Sequence, residues 1–104
     1  MNLKGSLPLL ILHNLSSGPS HGYAIAKHIK ETTNGTLDFK EGTLYPTLHG
    51  MEKQGLLEKY KEKVNGRDRN YYRLTDEGRK MLAVELQEWR DFTRAVNTVL
   101  DGAS

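Results

Sequence analysis

The pair Asn65-Gly66, set between two runs rich in tyrosine, arginine and lysine, constrains this chain more than any other feature. Asn-Gly is the strongest short signal for a two-residue hairpin turn of type I′, because both central residues must take positive φ. Such a turn dictates the partner of every flanking residue. Leu57 faces Leu74, Glu58 faces Arg73, Tyr60 faces Tyr71, Glu62 faces Arg69 and Lys63 faces Asp68. Each pair is apolar, aromatic or opposite in charge, and each contributes a few tenths of a kcal/mol up to about 1. A random register would not produce this run. Leu57, Tyr72 and Leu74 then share one face, the core side, while Arg67 sits beside the turn with no acid opposite.

The charge is concentrated on that hairpin. The 104 residues carry 15 Lys+Arg against 13 Asp+Glu, a net charge of only +2, too small by itself to argue for a polyanion. Between Lys59 and Arg73, six basic residues (Lys59, Lys61, Lys63, Arg67, Arg69, Arg73) meet two acids (Glu62, Asp68), a local surplus of four. A solvated charge run is the plainer reading of such a segment. A hydrophobic content of 37% suits one compact core and one domain. With 0 cysteines there is no disulfide or thiolate metal site, in keeping with a reducing cytoplasm. The apolar run Leu7 to Leu12 is far shorter than the roughly 20 residues that span a bilayer. Nor does the amino end resemble a signal peptide, so a cytoplasmic location is expected.

Helices account for the rest. The first is expected from about Ser6 to Leu15, with Ser6 as cap and Pro8 confined to the first turn, where its missing N–H is not needed. Leu7, Leu9, Leu10, Ile11, Leu12 and Leu15 leave it apolar nearly all round, the mark of a helix buried in its own domain or against a partner. After Gly18-Pro19, Ser20 is expected to cap the N–H of Tyr23 and open a second helix to about Thr32, ended by Asn34-Gly35. Pro46 places the start of the third near Gly42 or Thr43. Leu44, Leu48 and Met51 form its buried stripe, which leaves Thr43, Tyr45, Thr47, His49, Gly50 and Lys53 on the other faces.

A short helix with a polar, hydrogen-bonding face and a small residue in its middle, beside a basic two-stranded ribbon, points to duplex nucleic acid. The same face would also suit the solvated back of an ordinary amphipathic helix. Features of an enzyme are missing: no Gly-rich phosphate loop, no paired acids in an evident cleft and no serine placed beside a histidine. His21 and His28, seven residues apart, make a poor metal site without a third ligand, so neither metal nor cofactor is expected.

Thr75 is expected to cap the last helix, with Asp76 and Glu77 complementing the positive end of its dipole. Running from Asp76 to Leu100, it would be about 37 Å long. Leu82, Leu86, Trp89, Phe92, Val96 and Val99 form a stripe along it that a domain of this size cannot cover. The expectation is a symmetric dimer sealed by the last helices, with Leu3 and Leu7 of the first helix contributing.

The order helix, helix, helix, hairpin, helix is that of a winged helix-turn-helix: a mainly α fold with a small β-hairpin and a long C-terminal dimerisation helix. On this division residues 1–75 are the DNA-binding domain and 76–104 the dimerisation helix continuous with it. Four blocks carry a resemblance over essentially the whole chain: Leu3-Lys4-Gly5-Ser6-Leu7 with Ile11-Leu12, Gly18 to Tyr23, Glu41 to Leu48, and Gly66 to Gly78. Together they resemble the PadR family of transcriptional regulators, in its short branch with a single C-terminal helix.

The resemblance implies a homodimeric repressor of a pseudo-palindromic, inverted-repeat operator in double-stranded DNA, released by a small molecule or another cue. Carried over by position, His21, Gly22 and Tyr23 touch the sugar-phosphate backbone. The block from Gly42 to Lys53, with Thr43, Tyr45, Pro46, Thr47 and His49, enters the major groove. Lys63, Asn65, Gly66 and Arg67 form the wing tip. Trp89 stands where multidrug-responsive members place a tryptophan that lines a ligand pore at the dimer interface, so Trp89, Phe92 and Leu7 are the expected ligand contacts for a small aromatic effector. A tryptophan on such a stripe equally serves as plain dimer core. Asp68 departs from the family's wing pattern, where an uncharged or basic residue is commoner, and lowers the wing's charge. A reading of another class stays open: the same winged helix as a protein-docking module that binds no DNA.

Overall fold

The computed structural model describes residues 3–102, with the side chains of Leu3 and Lys4 outside the description. Helix α1 (Leu3–Leu15) leads into a short strand β1 (Ser20–His21), helices α2 (Gly22–Thr32) and α3 (Glu41–Lys53), a hairpin of β2 (Leu57–Val64) and β3 (Arg67–Leu74), and helix α4 (Asp76–Leu100).

The hairpin has the register that its turn dictates. Leu57 pairs with Leu74, Glu58 with Arg73, Tyr60 with Tyr71, Glu62 with Arg69 and Lys63 with Asp68. Asn65 and Gly66 have φ of 53° and 79°, the positive values of a type I′ turn. Leu57, Tyr72 and Leu74 are buried as one face. The sheet has a third strand that the sequence did not announce. β1 lies antiparallel on the free edge of β3, Ser20 opposite Tyr72 and His21 opposite Tyr71. Two residues are too few to show an alternation, and their pairing depends on a strand some fifty positions away.

That strand also corrects the start of α2. Ser20 is occupied in β1, and the capping residue is His21, whose Nδ1 accepts from the Ala24 N–H at 3.2 Å. Helix α1 begins at Leu3, earlier than Ser6, and Pro8 sits inside it rather than in its first turn. The proline then deprives only one carbonyl, that of Lys4, of its helical partner, and the turn before it survives. Pro46 lies in the same way inside α3, which begins at Glu41.

Leu7, Ile11, Leu12 and Leu15 of α1 meet Ile25 and Ile29 of α2, Leu44, Leu48 and Met51 of α3, and Leu56, Leu57, Tyr72 and Leu74 of the sheet in one core. Leu7, expected at the dimer seam and in the ligand site, is instead fully buried in this core, at 0% exposure. A helix apolar on every side can spend that side within its own subunit, and α1 does so. Leu3, the other α1 residue assigned to the seam, has its side chain outside the described residues.

Helix α4 is anchored at its base and packs against α1. Thr75 Oγ1 accepts from the Gly78 N–H at 3.0 Å and donates to the Gly55 carbonyl at 2.6 Å. The Thr75 N–H donates to the Leu56 carbonyl at 3.1 Å. Gly78 is the buried residue of this helix, and a Cβ there would stand inside contact distance of the Leu56 carbonyl. Beyond Leu82, which packs against the core, Leu86 and Trp89 are still half-buried, and the far end of α4 draws the subunit out to 58 × 30 × 22 Å.

Candidate nucleic-acid interface

Helix α3 turns Leu44, Leu48 and Met51 inward, and the helical repeat then fixes what faces out. Gly42, Pro46, His49, Gly50 and Lys53 are exposed, spaced three or four apart along one face, while Thr43, Tyr45 and Thr47 flank it half-buried. Of the residues expected to read a groove, the structure therefore brings Gly42, Pro46, His49 and Lys53 to the crest of α3, with Gly50 beside them, and Thr43, Tyr45 and Thr47 to its shoulders. The Thr47 hydroxyl donates to the Thr43 carbonyl at 2.8 Å, which leaves its oxygen lone pairs as acceptors.

The crest is unusually bare. A glycine inside a helix costs about 1 kcal/mol relative to alanine, yet a Cβ added at Gly50 or Gly42 would meet nothing within 4 Å. No contact inside the subunit requires a glycine at either position. With Pro46 between them, they leave the α3 backbone open to close approach from outside.

Gly22 has the opposite character. It is buried, and a Cβ there would lie 2.8 Å from Tyr45 Cε1. The glycine lets the Tyr45 ring lie across the start of α2 and so locks α2 to α3. That packing role, rather than an outward contact, accounts for its identity. His21 beside it is half-buried, edge-on to Tyr71 with ring centroids 5.4 Å apart. Burial and then the nearby Arg69 guanidinium hold its pKa below the usual histidine value. An imidazole that accepts at Nδ1 carries its proton on Nε2, so that N–H is left to donate. Tyr23, two residues further on, is 61% exposed.

On the wing, Lys63, Asn65, Gly66 and Arg67 are all exposed at the tip. The hairpin alternation adds Lys59 and Lys61 to the candidate site. Leu57, Lys59, Lys61 and Lys63 lie at every second position of β2 and so on one face, the face whose inner end is core. Lys59 reaches back to Glu52 of α3 at 3.9 Å, which puts this lysine row on the reader-helix side of the wing. The signal was present in the sequence as the spacing of lysines behind a buried leucine. The opposite face carries Tyr60 and Tyr71 with centroids 5.8 Å apart, and Arg73 stacked over Tyr60 at 4.9 Å while its guanidinium binds Glu58. Arg73 is thus held within the wing, as its cross-strand position implied, whereas Glu62 and Lys63 form no ion pair with their facing partners among the described residues.

Away from the wing, the α4 stripe is open. Phe92 is 50% and Val99 75% exposed, Val96 is exposed too, and Leu86 and Trp89 are half-buried. Trp89 and Phe92 stand together, with ring centroids 6.1 Å apart.

Three helices around one core, a reader helix with a bare crest, a three-stranded sheet ending in a basic wing and a long last helix together form a winged helix-turn-helix. The sequence model of the transcriptional regulator PadR-like family matches residues 11–84. The chain belongs to that family. Its PadR-like relatives are transcriptional regulators rather than enzymes. The transcriptional regulator Rv3488 of Mycobacterium tuberculosis is 33% identical over 93 residues, which cover 89% of this chain and 84% of the relative. A PadR family transcription regulator from hypervirulent Clostridium difficile has 36% identity and a TM-score of 0.81, covering 92% of this chain and 99% of that one. A transcriptional regulator from Clostridium thermocellum superposes with a TM-score of 0.85 at 33% identity, over 92% of this chain and 94% of the other. Among the described residues, no helix of this PadR-like chain is long and apolar enough to cross a membrane.

Proposed function

We propose that this chain is a DNA-binding repressor that acts in the cytoplasm as a homodimer, with residues 1–75 as its reading part and 76–104 as its joining part. The observation that carries the reading is the bare crest of α3 lying beside the lysine face of the wing. A groove-entering helix needs close backbone approach and a few donors, which Gly42, Pro46 and Gly50 with His49 and Lys53 supply. Thr43, Tyr45 and Thr47 line its shoulders. Phosphate gripping needs cations in a row, and Lys59, Lys61 and Lys63 supply those, with Arg67 beside the turn on the other face of the tip. In this reading His21 Nε2 and Tyr23, at the start of α2, meet the sugar-phosphate backbone.

The partner for the apolar face of α4 is a second copy. An isologous seam through Leu82, Leu86, Trp89, Phe92, Val96 and Val99 buries on both subunits what neither covers alone. Two reader helices so joined meet an inverted-repeat operator when they stand about 34 Å apart, one turn of duplex. An aromatic effector between Trp89 and its mate would bias the angle of the paired helices and with it that spacing.

Selection of bound duplexes from a random pool tests the reading. The expected result is an inverted repeat with half-sites one helical turn apart. Failure to enrich any duplex, together with capture of a protein on α3 that DNA does not displace, would replace the proposal with the docking-module reading.

A further inference from the structure

The dipeptide Asn-Gly occurs twice in this chain, at Asn34-Gly35 just after α2 and at Asn65-Gly66 on the wing tip. The two are matched in backbone and exposure. Both asparagines are exposed, and their φ values of 51° and 53° are followed by glycines at 81° and 79°. They differ in what the glycine nitrogen does. The Gly35 N–H donates to the Lys30 carbonyl at 2.8 Å, and the N–H groups of Asn34 and Thr36 on either side donate to the carbonyls of Glu31 and Thr33. These bonds close the end of α2 in the manner of a Schellman cap. The Gly66 N–H, by contrast, donates to no acceptor among the described residues, and the Asn65 side-chain amide is likewise without a partner there.

Asparagine is a thermally labile residue, and a following glycine exposes it most, because no Cβ shields the backbone nitrogen that can attack its side chain. We propose that Asn65 is a site of spontaneous deamidation, from which Asn34 is protected by the bonds at the end of α2. The Gly66 nitrogen gives its proton to a solvent base and bonds to Cγ of Asn65. The Cγ–Nδ2 bond breaks, and Nδ2 leaves as ammonia with a proton from water. A second water opens the cyclic imide at either carbonyl and leaves aspartate or isoaspartate at position 65, with nothing oxidised or reduced. The anionic nitrogen and the oxyanion that follows it form beside Lys63 and Arg67, both exposed and neither ion-paired among the described residues, and nearby cations favour such charge. A Cβ added at Gly66 would meet nothing within 4 Å, so the tip has room to turn as the ring closes.

The product alters the wing in two ways. Lys63 and Arg67 against Asp68 leave the tip a surplus of one positive charge, which one new carboxylate cancels. Isoaspartate also routes the backbone through the side chain, which lengthens the two-residue turn that sets Lys63 opposite Asp68. A weaker hold on phosphate would follow, and with it a limited working life for the regulator; this consequence, unlike the modification itself, rests on the DNA-binding reading above.

Peptide mapping by mass spectrometry of the full chain, incubated without DNA at mildly alkaline pH, tests the site independently of that reading. Asn65 is expected to convert about tenfold or more faster than Asn34, the order of what a retained backbone hydrogen bond and a closed helix end are worth. In concentrated urea, where neither turn survives, the two rates should converge. The proposal is overturned if Asn65 stays intact in the folded chain while it converts in urea, if Asn34 converts as fast as Asn65 in the folded chain, or if the preference for Asn65 persists undiminished in urea. Duplex affinity of the converted fraction, separated by charge, is a further measurement. It should fall, as it should for Asn65→Asp, whereas Asn65→Gly, which keeps a type I′ turn, should hold its affinity through the same incubation. A converted fraction that binds duplex as the parent does would leave the modification standing and remove its effect on the wing.

Discussion

At the residue scale, His21 joins three things that are usually separate: a strand pairing with Tyr71, the cap of α2 and an Nε2–H that the cap leaves to donate. The cap needs a neutral ring, because protonation would turn the Nδ1 acceptor into a donor facing the Ala24 N–H. Burial and Arg69 lower its pKa in the folded chain, so the folded state resists protonation more than the unfolded one does. Its contribution is therefore fully present above the unfolded value of about 6.5 and is lost as pH falls below that value toward the lower folded pKa. Urea midpoints measured between pH 7.5 and 5.5 should drop for the parent chain. His21→Asn, which keeps a capping oxygen but cannot titrate, should show a visibly flatter profile; an identical slope would remove the cap from the account. The glycines divide by the same kind of local reasoning. Gly78→Ala drives a methyl group into the Leu56 carbonyl at the root of α4, and a loss of several kcal/mol of unfolding free energy, on the order of the larger single-residue effects, is expected from denaturant melts.

At the level of elements, changes in α3 and in the wing should show in different measurements. Gly50→Ala gives α3 a better helix former where nothing inside the subunit objects, so thermal melting should show a gain of roughly 0.5–1 kcal/mol while duplex binding weakens. A stabilised variant that binds DNA as tightly as its parent would mean that the crest is not the contact surface. Lys61→Ala and Arg67→Ala, both exposed on the wing, should each lower the slope of log K against log salt by about 0.9 if each meets one phosphate. Much of this arrangement was legible in the sequence, because it follows from local rules. Asn65-Gly66 set the register, Thr75 marked the start of α4, and the spacing of Leu44, Leu48 and Met51 set the phase of α3. What stayed hidden depends on distant partners. β1 exists only because β3 offers an edge, Ser20 lost the cap to His21 for the same reason, and Leu7 turned inward because three other elements close over it. Gly22 was assigned outward by position in a motif, whereas its identity answers to a tyrosine ring from another helix. Lys59 and Lys61 were visible as charges, but only the placement of the sheet on α3 showed which side they serve.

For the whole molecule, the exposed stripe of α4 is the seam of the proposed dimer. Sedimentation at micromolar concentration should show a dimer, and Phe92→Asp, which puts a charge in the middle of the seam, should shift it to monomer while the far-ultraviolet spectrum of the winged part is kept. A parent chain that sediments as a stable monomer would overturn the proposed seam. The seam also governs how a cell would meter this regulator. Because Phe92, Val96 and Val99 stay bare on a solitary subunit, the competent form of the proposed dimer would accumulate by mass action between two copies, and at low abundance its amount would rise with the square of the number of chains. Doubling synthesis would then more than double the occupancy of a target, so that repression sets in across a narrow span of expression rather than in proportion to it.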